Sequence, residues 1–309
     1  MEIEKTKNLC EKRTLVFSGG GTKGLVLLGS LIYIGEIQGD GYFTKVIKRY
    51  VGTSVGAMIS LLLCIGYAPL EIYNELAEKD FNQLTDFQTI FHCFKKGMFS
   101  LDSGKKLFGY FEDLVSKKID KDTTFIQLYE KTNIELSIVS CCISNYPDKT
   151  TCILNHLTSP DLKIITAVKM SSSIPFIFPP VEYNGKAFID GGVSMNYPIG
   201  IFDPEDNSIL GFYLDSTYAS SGVNSNPLEN SNSNSNEIQT ETYELKKYTM
   251  GIFNIVFNSN IDILLKTYGH NTIFLSGIQK DTVKTTKIPT REQKEQLKDQ
   301  GYKMALGLF

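Results

Sequence analysis

The sequence predicts an α/β fold with a central, mostly parallel sheet that is flanked by helices. Short apolar strands alternate with helical segments along the chain, which is the pattern of a layered α/β domain. The first two helices are apolar on nearly every side, so we expect them to be buried against the sheet. The 309 residues, of which 42% are hydrophobic, provide enough chain for one large core or two smaller ones.

The N-terminal part of the chain supplies two strands and the helices that follow them. Strands are predicted at Thr14–Ser18 and Val46–Val51, two short apolar runs that each end at a glycine. The helices after them are predicted at Thr22–Ile37 and Val55–Cys64. The elements predicted further along are helices near Leu70–Lys79, Ser103–Lys117 and Pro160–Ser172, and strands at Ile134–Cys142, Thr150–Leu154 and Ile209–Leu214.

A single domain over residues 12–309 is predicted, with residues 1–11 as an N-terminal extension. Six Ser and six Asn fall within the seventeen residues Ser220–Asn236, so we expect a flexible insertion at about 218–237. The chain beyond it offers one long helical pattern, a strand at Asn271–Leu275 and a terminal helix. Those elements are too few for an independent domain, so they are expected to pack onto the first body.

Charge and composition exclude several classes of protein. A formal net charge of -3 argues against a nucleic-acid binder, which normally carries a basic surface. No apolar run approaches the roughly 18 residues of a membrane span, and the charged start Met1–Arg13 lacks the apolar core of a secretory signal. An intracellular, cytoplasmic protein is expected. The excess of lysine over arginine is typical of an AT-rich genome, so a viral protein in a host cell is one version of that expectation.

Metal and disulfide chemistry are not expected either. The six cysteines contain no C-x-x-C pair, and three of them lie in strongly apolar segments, which is typical of free buried thiols. With three histidines in the whole chain, a structural zinc site has few candidate ligands. We therefore expect no metal and no other cofactor.

The first motif that could carry chemistry is a glycine loop between the first predicted strand and its helix. Its glycines allow a tight turn, and its N–H groups lie at the positive end of the helix dipole, where they can bind an anion. Such a loop serves as a dinucleotide fingerprint, with Asp40 about 20 residues further on, or as an oxyanion hole, or it is a turn used only for packing. The loop consists of Gly19, Gly20, Gly21, Thr22, Lys23 and Gly24.

The second motif distinguishes between these two functions. Gly52-Thr53-Ser54-Val55-Gly56 follows a predicted strand and opens a buried helix, which is the context of a nucleophile elbow. An elbow holds its serine on a strained turn, and the flanking glycines avoid collisions with the neighbouring strand and helix. A dinucleotide enzyme has no use for this serine. The two motifs together therefore favour an enzyme with Ser54 as its nucleophile.

A nucleophilic serine needs a base, and the sequence offers two candidates. Asp190 ends a short apolar strand, and Gly191 and Gly192 after it leave its surroundings open. Asp190 is the favoured base. His270 is the alternative, because the order Ser54, Asp190, His270 matches the chain order of the α/β-hydrolase triad.

The glycine loop, the elbow and the later Asp-Gly-Gly resemble the three signatures of the patatin-like phospholipase family. The resemblance covers roughly residues 12–215 and implies a three-layer patatin-like fold. It also implies a catalytic dyad without histidine, in which Ser54 is the nucleophile, Asp190 is the base and the glycine loop is the oxyanion hole. The runs Ser171–Pro175 and Gly97–Gly104 add to the similarity.

The resemblance further implies a lipid acyl hydrolase of the phospholipase A type, which acts on a phospholipid or another acyl-lipid through an acyl-enzyme. The apolar run Ile174–Phe178 is expected to line an acyl channel, to touch a membrane surface peripherally or to belong to the core. Lys23 is expected to pair with a lipid phosphate or to cap local structure, and a solvated lysine is the more frequent case. The alternatives are a catalytically silent lipid-binding or scaffold protein, and an esterase with a Ser54, Asp190 and His270 triad.

Overall fold

The strands that the structure describes form one mixed sheet of eight. The computed structural model describes residues 9–39, 41–86, 100–215, 251–252, 255–276 and 289–309. The strands are β1 Thr14–Phe17, β2 Arg49–Thr53, β3 Glu135–Cys142, β4 Thr151–Leu154, β5 Val181–Tyr183, β6 Lys186–Asp190, β7 Ile209–Leu214 and β8 Thr272–Leu275.

The sheet is mostly parallel, as predicted. Its order is β5-β6-β3-β2-β1-β7-β8, and β4 also pairs with β3. Strands β3, β2, β1, β7 and β8 run parallel to one another. Strands β4 and β6 run antiparallel to β3, and β5 runs antiparallel to β6.

Helices cover both faces of this sheet. They are α1 Gly24–Gln38, α2 Val55–Cys64, α3 Pro69–Glu78, α4 Lys105–Ser116, α5 Phe125–Thr132, α6 Ile164–Ser172, α7 Gly192–Met195, α8 Ile261–Tyr268 and α9 Arg291–Leu308. Successive residues of a strand point to opposite faces. In β1, Leu15 and Phe17 belong to the large core with α1 and α2, whereas Val16 belongs to a second core with residues before β7 and in α8. The result is the predicted arrangement of three layers.

Helix α1 is buried along most of its length, as its sequence predicts. Its first eleven residues, from Gly24 to Ile34, are all buried. The sheet lies on one side, and α9 lies on another. The C-terminal helix thus packs onto the same body as the N-terminal elements.

Two predicted elements begin three or more residues later in the structure. Strand β2 starts at Arg49 rather than Val46, because Tyr42–Val46 forms a π-helical turn. Helix α6 starts at Ile164 rather than Pro160, because Lys163 has an extended backbone and bridges to Thr124. Apolar spacing alone does not distinguish these turns from the elements beside them.

Some predictions lie outside the described residues. These are the insertion at about 218–237, most of the extension 1–11, Asp40, and the first three residues of the Gly97–Gly104 run.

Candidate active site

The pairing of β3 brings the ends of β2 and β6 together. Thr53, the last residue of β2, pairs with Val139, and Asp190, the last residue of β6, pairs with the next residue, Ser140. Strand β4 pairs with β3 at both positions, so β2 and β6 lie end to end along the opposite edge of β3. Because β2 runs parallel to β3 and β6 runs antiparallel, their carboxyl ends meet. Ser54 and Asp190 are therefore neighbours, although they are far apart in sequence.

Ser54 lies on a strained turn between β2 and α2. Its φ of 56° and ψ of −122° belong to a region that L-residues rarely adopt. A Cβ atom at Gly52 would lie 2.4 Å from the carbonyl carbon of Gly56, and one at Gly56 would lie 2.7 Å from the carbonyl oxygen of Phe17. Side chains at either glycine would thus collide with α2 or β1. The elbow motif predicts these collisions as the reason for glycine at both positions.

The glycine loop lies directly against this turn. A Cβ atom at Gly19 would lie 3.3 Å from the Cβ of Ser54, and one at Gly24 would lie 2.6 Å from Cγ2 of Val55. The Gly19 N–H donates to the carbonyl of Asn196 at 3.1 Å. Loop and elbow therefore lie this close because Gly19 and Gly24 carry no side chains.

Two amides of the loop are available to an anion. Among the residues that the structure describes, no acceptor receives a hydrogen bond from the N–H of Gly20 or Gly21. Both precede α1, whose dipole is positive at this end. The loop can therefore stabilise negative charge next to Ser54.

Lys23 is buried and caps local structure, which is one of the roles expected for it. Its side chain is 6% exposed, and its Nζ donates to the carbonyl of Asp215 at 3.2 Å, just beyond β7. Burial lowers its pKa to about 8, against the opposing effect of the Asp215 carboxylate. The expectation of a solvated lysine is wrong, and the ammonium instead joins the glycine loop to the end of β7.

Asp190 is a buried carboxyl with a raised pKa. Its side chain is 1% exposed, and Oδ1 accepts the Gly192 N–H at 2.7 Å. Burial raises the pKa to about 7, while the Ser54 hydroxyl and the Gly192 N–H act in the opposite direction. Within the described part of the chain, Oδ2 receives no hydrogen bond of ordinary geometry. The Ser54 hydroxyl thus influences the carboxyl without full alignment, and catalytic pairs often align fully only around substrate.

His270 does not contribute to this site. It is exposed, and its Nε2 lies 2.9 Å from the carbonyl oxygen of Pro204. Thr272, which begins β8, is level with Val51 of β2 through β7 and β1. His270 precedes this level in a 3-10 turn and Ser54 follows it, and the three strand spacings from β8 to β2 alone separate them by on the order of 14 Å. The Ser54, Asp190 and His270 triad is therefore wrong, because the histidine lies at the opposite edge of the sheet.

The apolar run Ile174–Phe178 is not part of the core. All five side chains are partly or largely exposed, and Phe176 is 61% exposed with a φ of 63°. The run follows Ser173, whose carbonyl accepts the Asp190 N–H at 2.9 Å. An apolar surface therefore begins next to the candidate base.

Two further residues contact the candidate site, although neither belongs to the glycine loop, the elbow or the Asp-Gly-Gly motif. Ser171 Oγ accepts the N–H of Ser54 at 2.8 Å. Asn196 holds Gly19 through its carbonyl, and its Oδ1 faces Gly19 and Gly192. The Ser171–Pro175 run was a signal for the first residue, whereas nothing in the sequence pointed to the second.

Across the described ranges, no three His, Cys, Asp or Glu side chains are grouped so that they could hold a metal ion. In the same part of the chain, every helix is too short or too polar to cross a membrane.

The model of the patatin-like phospholipase family matches residues 15–203 of this chain. The chain is 35% identical over 193 residues to the probable lipid hydrolase 463L of Invertebrate iridescent virus 6, and the aligned part is 61% of this chain and 62% of that protein. It is 28% identical over 226 residues to triacylglycerol lipase 4 of Saccharomyces cerevisiae, a match that covers 64% of this chain and 23% of the yeast protein. The match thus spans less than two thirds of either relative.

The fold is similar to that of VipD from Legionella pneumophila. The TM-score is 0.56 at 18% sequence identity, over 96% of this chain and 66% of that one.

Proposed function

Because the chain belongs to the patatin-like phospholipase family, we propose that it is a lipid acyl hydrolase that works through an acyl-enzyme on Ser54. The observation that carries this proposal is the meeting of β2 and β6, which sets the elbow serine beside a buried carboxyl. Asp190 is the proposed base, and the glycine loop Gly19–Gly24 is the proposed oxyanion hole.

In the first step, Asp190 accepts the Ser54 proton while Ser54 Oγ attacks the ester carbonyl. A carboxyl with a pKa near 7 is a stronger base than an ordinary aspartate, and about half of it is ionised at neutral pH. The bond between the acyl carbon and the leaving oxygen then breaks. The leaving alcohol takes the proton from Asp190, so the acyl-enzyme forms with no net change of charge.

The tetrahedral intermediate needs donors for its oxygen anion. The N–H groups of Gly20 and Gly21, which have no acceptor among the described residues, supply them at the start of α1, beside Ser54. Removal of one such donor typically costs about 3–4 kcal/mol of activation free energy. The same donors serve the second step, in which Asp190 removes a proton from water, water attacks the acyl carbon, and Ser54 regains its proton as the fatty acid leaves.

The proposed substrates are acyl esters of phospholipids or other lipids. The names of the viral and yeast relatives refer to lipid hydrolysis, which supports this class for a chain with the same family signatures. The exposed apolar run Ile174–Phe178 beside Asp190 also suits a substrate with long acyl chains. Contact with a membrane surface is part of the same proposal.

The test is labelling by a fluorophosphonate probe together with hydrolysis of p-nitrophenyl esters and a panel of acyl-lipids. Ser54→Ala should lose both the label and hydrolysis, and Asp190→Asn should lose nearly all hydrolysis. His270→Ala is the matched control and should keep wild-type rates, because this side chain lies at the opposite edge of the sheet. Near wild-type hydrolysis by purified Ser54→Ala protein would refute the proposal. Absence of label on the wild-type protein would favour a silent lipid-binding protein instead.

A further inference from the structure

One short segment, Ser171–Ser173, is bonded to both candidate catalytic residues. Ser171 Oγ accepts the N–H of Ser54 at 2.8 Å. The carbonyl of Ser171 accepts the Gly191 N–H at 3.2 Å, and the carbonyl of Ser173 accepts the Asp190 N–H at 2.9 Å. We call this segment the serine bridge. It is the end of α6 and the residue after it, and α6 packs on β3 and β6.

The bond to Ser54 is made by a side chain, unlike the other two. Strand β2 ends at Thr53, and the left-handed turn at Ser54 takes this N–H out of the strand ladder. The N–H is buried, so it needs another acceptor. Ser171, itself 0% exposed, provides it. The direction of the Ser54 peptide is thus fixed by a hydroxyl from a different element.

We propose that Ser171 is a positioning residue for the nucleophile. It touches neither the ester nor the reacting atoms. Its hydroxyl holds the Ser54 peptide in the left-handed conformation, and that conformation aims the Ser54 hydroxyl at Asp190 and the glycine loop. This inference rests on the proposed function, because positioning matters only if Ser54 attacks a substrate.

The neighbouring serine provides a matched control. Ser172 is also buried at the end of α6, at 4% exposed, but its hydroxyl has no hydrogen-bond partner among the described residues. Loss of either hydroxyl removes one oxygen atom from a buried site. Only the loss at residue 171 removes a bond to the nucleophile.

The experiment compares Ser171→Ala and Ser172→Ala with the wild-type protein. It measures kcat and KM for a soluble p-nitrophenyl ester, the rate of fluorophosphonate labelling and the unfolding temperature. Ser171→Ala should lower kcat and the labelling rate tenfold or more, with KM changed less than twofold, because misalignment affects the attack rather than binding. Ser172→Ala should keep kcat, KM and the labelling rate within twofold of the wild-type values.

Two more variants keep the test decisive if Ser171→Ala does not fold. Ser171→Thr retains a hydroxyl acceptor and should restore most of kcat, whereas Ser171→Cys is of similar size and is a weak acceptor, so it should not. Unchanged kcat in folded Ser171→Ala or in Ser171→Cys would overturn the inference while leaving the proposed function intact. Loss of kcat in Ser172→Ala equal to that in Ser171→Ala would overturn it as well. A wild-type protein without hydrolysis or label would instead refute the proposed function.

Discussion

Ser54 has a backbone conformation that suits glycine better than serine. Its φ is 56° and its ψ is −122°, and such conformations cost about 1–3 kcal/mol in residues other than glycine. Ser54→Gly and Ser54→Ala both remove the hydroxyl, but only glycine relieves the strain. We therefore expect Ser54→Gly to have a free energy of unfolding about 1–2 kcal/mol higher than Ser54→Ala, measured by urea denaturation.

The control for this comparison is Asn184, a residue with φ 49° in the exposed turn between β5 and β6. Asparagine enters the left-handed region readily, so Asn184→Gly should change the unfolding free energy little. Equal stability of the two Ser54 variants would show that the elbow stores no strain.

The raised pKa of Asp190 determines the sign of a pH dependence. Burial raises this pKa from 3.8 to about 7, and a general base must be ionised to accept a proton. The value of kcat/KM should therefore fall as the pH drops below about 7 and level off above it. Assays of a soluble ester from pH 5 to pH 9 would show this fall in kcat/KM. A kcat/KM that stays constant from pH 5 to pH 9 would contradict the raised pKa of the base.

At the same scale, sequence motifs identified most of the candidate site but not all of it. Ser54 and Asp190 each follow a strand and adjoin glycines, so local sequence revealed them. Ser171 contacts Ser54 because α6 packs on β3 and β6 next to the elbow, and residue spacing contains no information about that packing. The same holds for Lys23, whose burial depends on the position of β7.

Among the elements, the alternating strands and buried helices were predictable because they follow apolar periodicity. Helix α5 was not predicted, although Thr124 and Gln127 form a capping box that signals its start. The antiparallel pairing of β6 with β3 could not be predicted from the sequence either. It is a long-range contact, and it is the one that sets Asp190 next to Ser54.

Helices α1 and α9 cross where each has a glycine. A Cβ atom at Gly301 would lie 1.8 Å from the carbonyl oxygen of Val26, and one at Gly29 would lie 1.9 Å from that of Lys298. Gly301→Ala should therefore push the helices apart and lower the unfolding free energy by about 1–3 kcal/mol, measured by urea denaturation.

Gly307 provides the control within the same helix. No atom of the described residues lies within 4 Å of a Cβ atom at this position, so Gly307→Ala should raise the unfolding free energy by up to about 0.5 kcal/mol through helix propensity alone. A Gly301→Ala protein as stable as wild type would mean that α9 is loosely attached.

At the scale of the whole molecule, the family model covers only some of the residues that form the sheet. The match ends at residue 203. Strand β7 lies beyond it, between β1 and β8, and so does α9, which buries Leu297 and covers α1. The domain of residues 12–309 stays a prediction, and these contacts support it.

A truncated chain tests that domain boundary. A fragment of residues 9–203 loses β7 beside β1 and uncovers the side of α1 that packs on α9, where Val26 and Tyr33 are 0% and 9% exposed in the full chain. Exposed apolar surface of that size favours aggregation over a folded monomer. We therefore expect the fragment to be insoluble or to unfold without a cooperative transition, whereas residues 9–309 should unfold cooperatively and react with the fluorophosphonate probe. Circular dichroism during thermal unfolding, together with labelling, measures both properties. A soluble fragment with a cooperative transition and a labelled Ser54 would move the boundary to residue 203, and the elements beyond it would then be an addition to a complete catalytic body.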